Sequence, residues 1–290
     1  MHDCSKKKFT DYKWIYKLKI LFNKLESMLK IFKYLVLVVV SLYIIGTLSL
    51  KNHFIQDKLL GFAIKSLATP ESNLPEEDTL TAIVCGSRAP IIDPNRAEAC
   101  ILVQAGDKIF IFDTGDGSVQ NLVNWNIPFD RVKGVFYTHL HSDHIADIGE
   151  IHMDTWVAGA RKSKLKVYGP EGVQLLTDGT ELAYTNDYIF RNEHHGDLLA
   201  PLDVVGFDTH TVDLKNPILI DEDNLKITAY SVSHDPVEPA LGYRIDYKGR
   251  SMSISGDTTY DHNLVKNSKN VDVLFHESMS LEILDLINQV

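Results

Sequence analysis

The chain has 290 residues, 44% of them hydrophobic, and a formal net charge of −10. That length suits one large α/β unit with appendages and allows a sizeable core. The acidic balance argues against nucleic acid as a partner, because nucleic-acid binders normally carry a basic stripe that neutralises phosphates.

The charge is uneven along the chain. Residues 1–33 hold nine lysines against Asp3, Asp11 and Glu26, so the remainder is strongly acidic. Residues 1–30 read as a basic cytoplasmic leader, and "MLKIFKYLVLVVV" from Met28 looks like an ordinary start, making 1–27 an upstream extension or a misassigned start. Residues 31–50, "IFKYLVLVVVSLYIIGTLSL", carry only Lys33 as a charge and have the length a helix needs to cross a bilayer. A buried core helix or a cleaved signal would share that composition, but the run exceeds the usual signal core and no small-x-small cleavage site follows closely. The lysines on its N-terminal side put the leader in the cytoplasm and everything after Leu50 outside, on the periplasmic side in a Gram-negative cell. A membrane is thus an expected partner.

Residues 51–78 read as a juxtamembrane helix followed by a linker. Phe54, Ile55, Leu59, Phe62, Ile64 and Leu67 recur at mostly helical spacing, which suits a helix at the membrane surface or one docked on the domain. "TPESNLPEED" then has two prolines and four acids, and a globular domain is expected over 79–290. Cys85 and Cys100 end and begin neighbouring apolar runs, where they could pair in an oxidising compartment or remain buried thiols.

Short β-rich runs come next, "TLTAIVCGS", "ACILVQAG" and "KIFIFDTG", suggesting hairpins. Strand and helix then alternate: helix in "GSVQNLVNWN", strand in "VKGVFYTH", helix in "IADIGEIHMDTWVAGA", strand in "KLKVYGP", and a helical tract from Glu171 towards Asn192. "LKITAYSVSH", "LGYRIDY", "SMSISGDT" and "VDVLFHES" read as later strands, with a closing helix in "SLEILDLIN". Strands in both halves with helices between them predict packed α/β layers, two sheets inside helices. His194 and His195 in "RNEHHGD" are expected in an exposed loop after the long helix, with a pocket rim as the alternative.

The stretch "THLHSDH", Thr138–His144, concentrates chemistry where a strand runs out. His139 and His141 alternate and so point to one face, and Asp143 and His144 follow in the turn before a helix. Imidazoles and carboxylates are what zinc takes, and four such donors exceed the needs of one catalytic ion, so two metals are expected. The same donors suit manganese or iron.

"THLHSDH" resembles the signature of the metallo-β-lactamase superfamily, and the rest of the domain resembles its ribonuclease Z and arylsulfatase-like branch. "FDTGDG", "SHDPVEPALGYRID", "SISGDT" and "FHESMS" follow the family's other motifs in order over residues 79–290. The resemblance implies a four-layer αββα sandwich with the site at one edge between the sheets. It implies His139, His141 and His234 as ligands of one zinc ion, Asp143 and His144 of a second, and Asp257 as a bridge. It makes Asp143 and His276 the catalytic residues, His276 as proton donor, and Asp113 a support for the histidine-bearing loop.

Two departures shape the expected function. The family continues after its His-Glu motif to a further His followed by Ser or Thr, whereas this chain stops at Val290, so a domain truncated at its C-terminus is expected. His234 and Asp257 are too close in sequence to hold the arm that bacterial ribonucleases Z insert there, which argues against a transfer-RNA nuclease. The expected protein is a membrane-anchored, extracytoplasmic zinc hydrolase of a small ester, a phosphodiester or an aryl sulfate, using a hydroxide between the two metals. The alternatives are a lactonase or other carboxyl-ester hydrolase, and a non-catalytic membrane-anchored metal-binding module.

Overall fold

A computed structural model describes residues 5–49, 51–52, 55–56, 58–59, 72–75, 78–91 and 93–281. The expected juxtamembrane helix and closing helix lie largely outside the described residues, as does half of the linker. The chain divides into two units, Met1–Thr69 and Pro70–Val290. The first contains α1 (Ser5–Ser49), which runs without a break through both the basic leader and the apolar run. Within it, Tyr16–Ser49 is long and apolar enough to cross a membrane.

The second unit is built on two sheets. β1 (Leu80–Gly86), β2 (Cys100–Ala105), β3 (Lys108–Phe112), β4 (Val132–Phe136), β5 (Leu165–Gly169) and β6 (Phe207–Thr211) lie side by side in that order. The first three pair antiparallel and the last four parallel. The second sheet runs β11 (Val273–Phe275), β10 (Arg250–Ile254), β9 (Ala240–Tyr247), β8 (Leu225–Val232), β7 (Ile218–Glu222), with only β10 and β11 parallel.

Alternation along each strand decides which core a side chain joins. In β3, Ile109 and Ile111 pack beneath α2 (Ser118–Asn124), α4 (Ile148–Val157) and α5 (Val173–Leu199), against Leu122, Ile151 and Val173. Phe110 and Phe112 point the other way and meet Ile227, Tyr243 and Ile245 of the second sheet. Because both faces are buried, β2 to β4 read as nearly continuous apolar runs. The outer face of the second sheet is covered by Leu264 of α6 (His262–Asn267), packed on Tyr230, Val232 and Ala240. Helix, sheet, sheet and helix thus form the four-layer αββα sandwich.

The centre of the sandwich is aromatic. Phe136 stacks between Phe112 and Tyr168 at centroid distances of 4.9 and 4.6 Å, with Tyr243 edge-on at 5.6 Å. Such pairs add ~0.5–1.5 kcal/mol each beyond buried area. Their consequence is positional, since Phe136 is the last residue of β4 and the chain beyond it carries Thr138 to His144. Tyr243 Oη donates to the Tyr137 carbonyl oxygen at 2.6 Å and Leu241 N–H to that of Thr138 at 2.8 Å, tying this extension to the second sheet.

Cys85 and Cys100 form a disulfide across β1 and β2. A register shift between Val84 and Gly86 brings Cys85 beside Cys100, which the apolar runs alone could not specify. The bond closes a separation of 15 residues. Its reduction is expected to cost about 3 kcal/mol on the chain-entropy scale. Thermal unfolding with and without reductant measures this, and superimposable curves would mean that the bond contributes nothing.

Three elements differ from expectation. β6 and β7 are strands that the sequence pattern did not single out: β6 buries Phe207 alone and β7 has no fully buried residue, so neither shows clear alternation. α5 extends to Leu199, so His194 and His195 stand exposed on its last turns, before the non-helical Gly196, and not in a loop.

A buried histidine outside the expected set lies under α5. His152 Nε2 meets Tyr188 Oη at 2.8 Å, and Arg161 Nη2 donates to Nδ1 at 3.3 Å. Burial, reinforced by the Arg161 charge, pulls His152 down to about 3. The unfolded chain takes up this proton near pH 6.5, so the contribution of neutral His152 is complete above that pH and is lost as pH falls towards 3. The protein is therefore expected to lose on the order of a few kcal/mol across that window, and His152→Gln to flatten the loss. Denaturant midpoints between pH 7 and pH 4 measure it, and parallel slopes for the two proteins would reject the assignment.

Candidate metal centre

The expected site residues all follow strand ends. Asp113 follows β3, His139 and His141 follow β4, His234 follows β8, Asp257 follows β10 and His276 follows β11. Asp143 and His144 sit on the short α3 (Ser142–Ile145) and are both buried. The loops cross tightly. Gly115 passes beneath the Asp143 carbonyl, where a Cβ would collide, and Gly256, at φ +62°, would bring a Cβ to 2.9 Å from that of Thr138.

Two groups of donors result. His139, His141 and His234 offer atoms within 4.8 Å of one another, and so do His139, His144 and Asp257. His139 Nε2 lies 2.9 Å from His141 Nδ1, and His234 Nε2 lies 3.5 Å from the same atom. Imidazole nitrogens this close must share a proton or face a common cation. Three imidazoles in one group, and two with a carboxylate in the other, are the donor chemistry of zinc. The residues therefore fit a bound metal.

Asp113 organises the second group without belonging to either. Buried, with φ +58°, its Oδ1 accepts from Thr138 N–H at 2.8 Å and its Oδ2 from Thr138 Oγ1 at 2.8 Å. His144 Nδ1 lies 2.9 Å from Oδ2, which holds a proton on Nδ1 and directs Nε2 at Asp257 Oδ1, 3.6 Å away, so that an ion bound there would take the place of the Nε2 proton. Burial alone would lower the His144 pKa, but the Asp113 and Asp257 carboxylates outweigh it and lift it to about 10. His139 goes the other way: burial, then the His144 charge, hold it near 3, the neutral state a ligand needs. Asp257, although burial opposes it, is held below its usual range by His144, His139 and His234.

The two catalytic expectations fall differently. Asp143 lies in neither donor group, although its Oδ2 is 3.7 Å from His144 Nε2. His276 is exposed beyond β11, its Nδ1 2.7 Å from the Glu277 carbonyl oxygen. Two supporting residues, Thr138 and Glu277, stood outside the motifs' expected roles. Thr138 links Asp113 to the histidine strand, and a hydroxyl where an apolar strand ends was the available signal. Glu277 accepts from Thr258 N–H at 2.9 Å and so steadies the loop carrying Asp257.

An αββα sandwich that gathers histidines and an aspartate at its strand ends is the architecture of a hydrolase superfamily, with donor groups here that could hold a metal. Residues 109–285 match the family described as Beta-lactamase superfamily domain. The chain belongs to the metallo-β-lactamase superfamily. It is 34% identical to Ribonuclease Z of Mycobacterium avium (strain 104) over 206 residues, 70% of this chain and 72% of that protein. Ribonuclease Z of Mycobacterium marinum is 32% identical over 203 residues, covering 69% and 70%. In fold the chain is similar to human tRNase Z, short form, at 20% identity and TM-score 0.53, covering 72% of this chain and 82% of that one.

These relatives overturn the argument against nucleic acid. Proteins named for cleaving RNA share a third of their aligned residues with this chain, so its acidic balance does not exclude such a partner. Net charge averages over the whole surface, whereas a phosphodiester meets the few groups that line the site.

Proposed function

We propose that this chain is a metal-dependent phosphodiesterase with RNA among its substrate classes, held by α1 in a membrane with the sandwich on the extracytoplasmic side. The observation that carries the chemistry is the pair of adjoining donor groups with His139 in common. The identity to ribonucleases Z supports a phosphodiester over other esters. The Cys85–Cys100 disulfide supports an oxidising compartment.

His139, His141 and His234 would hold one ion, and His144 with Asp257 a second beside the shared His139, zinc being the first candidate and Asp143 standing next to that second group, 3.7 Å from His144 Nε2. When bound, such ions supply Lewis acidity and lower the pKa of water. The chain's own groups do the rest. Asp113 fixes the tautomer of His144, and Glu277 steadies the Asp257 loop. His276 keeps its Nδ1 proton on the Glu277 carbonyl, so the proton it can pass to a leaving oxygen is the one on Nε2.

The test is a panel of bis-aryl phosphate, RNA, aryl sulfate and lactone, assayed with zinc and with chelator. Chelator-sensitive turnover of the aryl phosphate and of RNA is expected. Turnover confined to aryl sulfate or lactone would end the phosphodiester reading, and inactivity on all four would favour a non-catalytic metal-binding module.

A further inference from the structure

The loop after β10 carries Asp257 and then Thr258, Thr259, Tyr260 and Asp261 before α6 begins. On both sides of Tyr260 it is pinned to the loop that carries His234. Thr259 N–H donates to the Ser233 carbonyl oxygen at 2.9 Å, and the Thr259 hydroxyl donates to the same oxygen at 3.2 Å. Ser233 Oγ donates to Asp261 Oδ2 at 2.7 Å, while Asp261 Oδ1 accepts from the Asn263 and Leu264 N–H groups and caps α6. Tyr260 stands out of this frame 75% exposed, its ring edge-on to that of His262 at a centroid distance of 5.3 Å. Single exposed apolar residues are ordinary on a surface. This one is the most exposed phenylalanine, tyrosine or tryptophan outside α1 among the described residues, and it is held beside two members of the donor groups, Asp257 and His234.

We propose that Tyr260 is a stacking platform for a nucleobase adjoining the phosphodiester at the metal centre, so that the substrate is a nucleotide chain held by a base as well as by its phosphate. The inference rests on the phosphodiesterase reading and adds a recognition contact to it. Three observations favour a nucleobase as the occupant. Position is the first: Tyr260 follows Asp257 by three residues, so their Cα atoms lie at most about 11 Å apart, a gap that one nucleotide can bridge. The second is readiness, because a ring whose loop is already tied down on both sides loses little freedom when a planar partner settles on it. Charge is the third. A chain of net charge −10 has no general excess of basic groups to hold a polyanion, whereas stacking draws on a neutral ring and accepts any base, since every base has a π-face.

The experiment uses the full chain loaded with zinc and two substrates, the nitrophenyl phosphodiesters of thymidine and of abasic deoxyribose, which share the scissile bond and leaving group and differ only in the base. The ratio of their kcat/KM values is expected to fall about tenfold in Tyr260→Ala and to persist in Tyr260→Phe, which keeps the ring. A second readout does not depend on turnover. In Tyr260→Trp, the emission in excess of the parent should be quenched by an oligoadenylate and not by an abasic oligomer of the same length. An unchanged ratio in Tyr260→Ala overturns the proposal, as does quenching by both oligomers alike or by neither. Turnover of neither diester together with base-specific quenching sinks the phosphodiesterase reading alone, whereas turnover of both with an unchanged ratio and no quenching sinks the stacking platform alone.

Discussion

Replacing Asp257 with alanine is expected to abolish hydrolysis and to remove bound metal with it. Asp257 is the one carboxylate in the two donor groups found among the described residues; the other members are imidazoles, which bring no negative charge when neutral. Its two oxygens make it the side chain best able to face two cations at once, and without it their charge has no anionic partner within the groups. A loss of several kcal/mol of charge stabilisation, at tenfold per ~1.4 kcal/mol, puts the fall in kcat/KM at about a thousandfold or more. Asp257→Asn keeps the shape and removes the charge, so it should fall nearly as far. His141→Ala touches only the outer group and should lose the ion held there while the group of His139, His144 and Asp257 retains its own. Elemental mass spectrometry gives metal per chain for each variant, and turnover of a bis-aryl phosphate gives activity. Full metal content and full turnover in Asp257→Ala would end the metal-dependent reading.

What could be read from the sequence follows from how local each signal is. Thr138–His144 was legible because the period of a strand and the start of a helix place its polar groups without reference to the rest of the chain. The sandwich was legible through runs such as "KIFIFDTG", whose alternate residues supply two cores. Edge strands β6 and β7 were not, since a strand with one face in water and no partner along one side carries little pattern. The cysteine pairing turned on a one-residue shift of register between β1 and β2. His152 was invisible because its partners, Tyr188 and Arg161, come to it only when α4 and α5 pack. Asp143 shows the converse: it neighbours His144 in sequence, yet its carboxylate stands outside the two tightest groups of donors. Net acidity misleads about nucleic acid for a related reason, because a chain total does not describe one site.

Asp113→Asn should be the most informative change outside the donor groups. Asparagine tolerates the left-handed backbone at this position, so the strand end should keep its path. Its oxygen can still accept from Thr138 N–H, as Oδ1 does now. The other end of the amide is then a donor, placed where Oδ2 faces both Thr138 Oγ1 and His144 Nδ1. The hydroxyl can rotate to accept, but an Nδ1–H would oppose an N–H, so His144 moves its proton to Nε2. That nitrogen is the one directed at Asp257 and at any ion the group holds, and once protonated it has no lone pair to offer. The expected result is a folded protein whose metal affinity falls by about 10- to 100-fold, the usual scale for partners that orient a ligating histidine. Competition against a chelator of known affinity measures the loss, and histidine nitrogen chemical shifts report the tautomer. If Asp113→Asn binds metal as tightly as the parent with the His144 proton still on Nδ1, then Asp113 does not set the state of that ligand, and its contacts with Thr138 are structural alone.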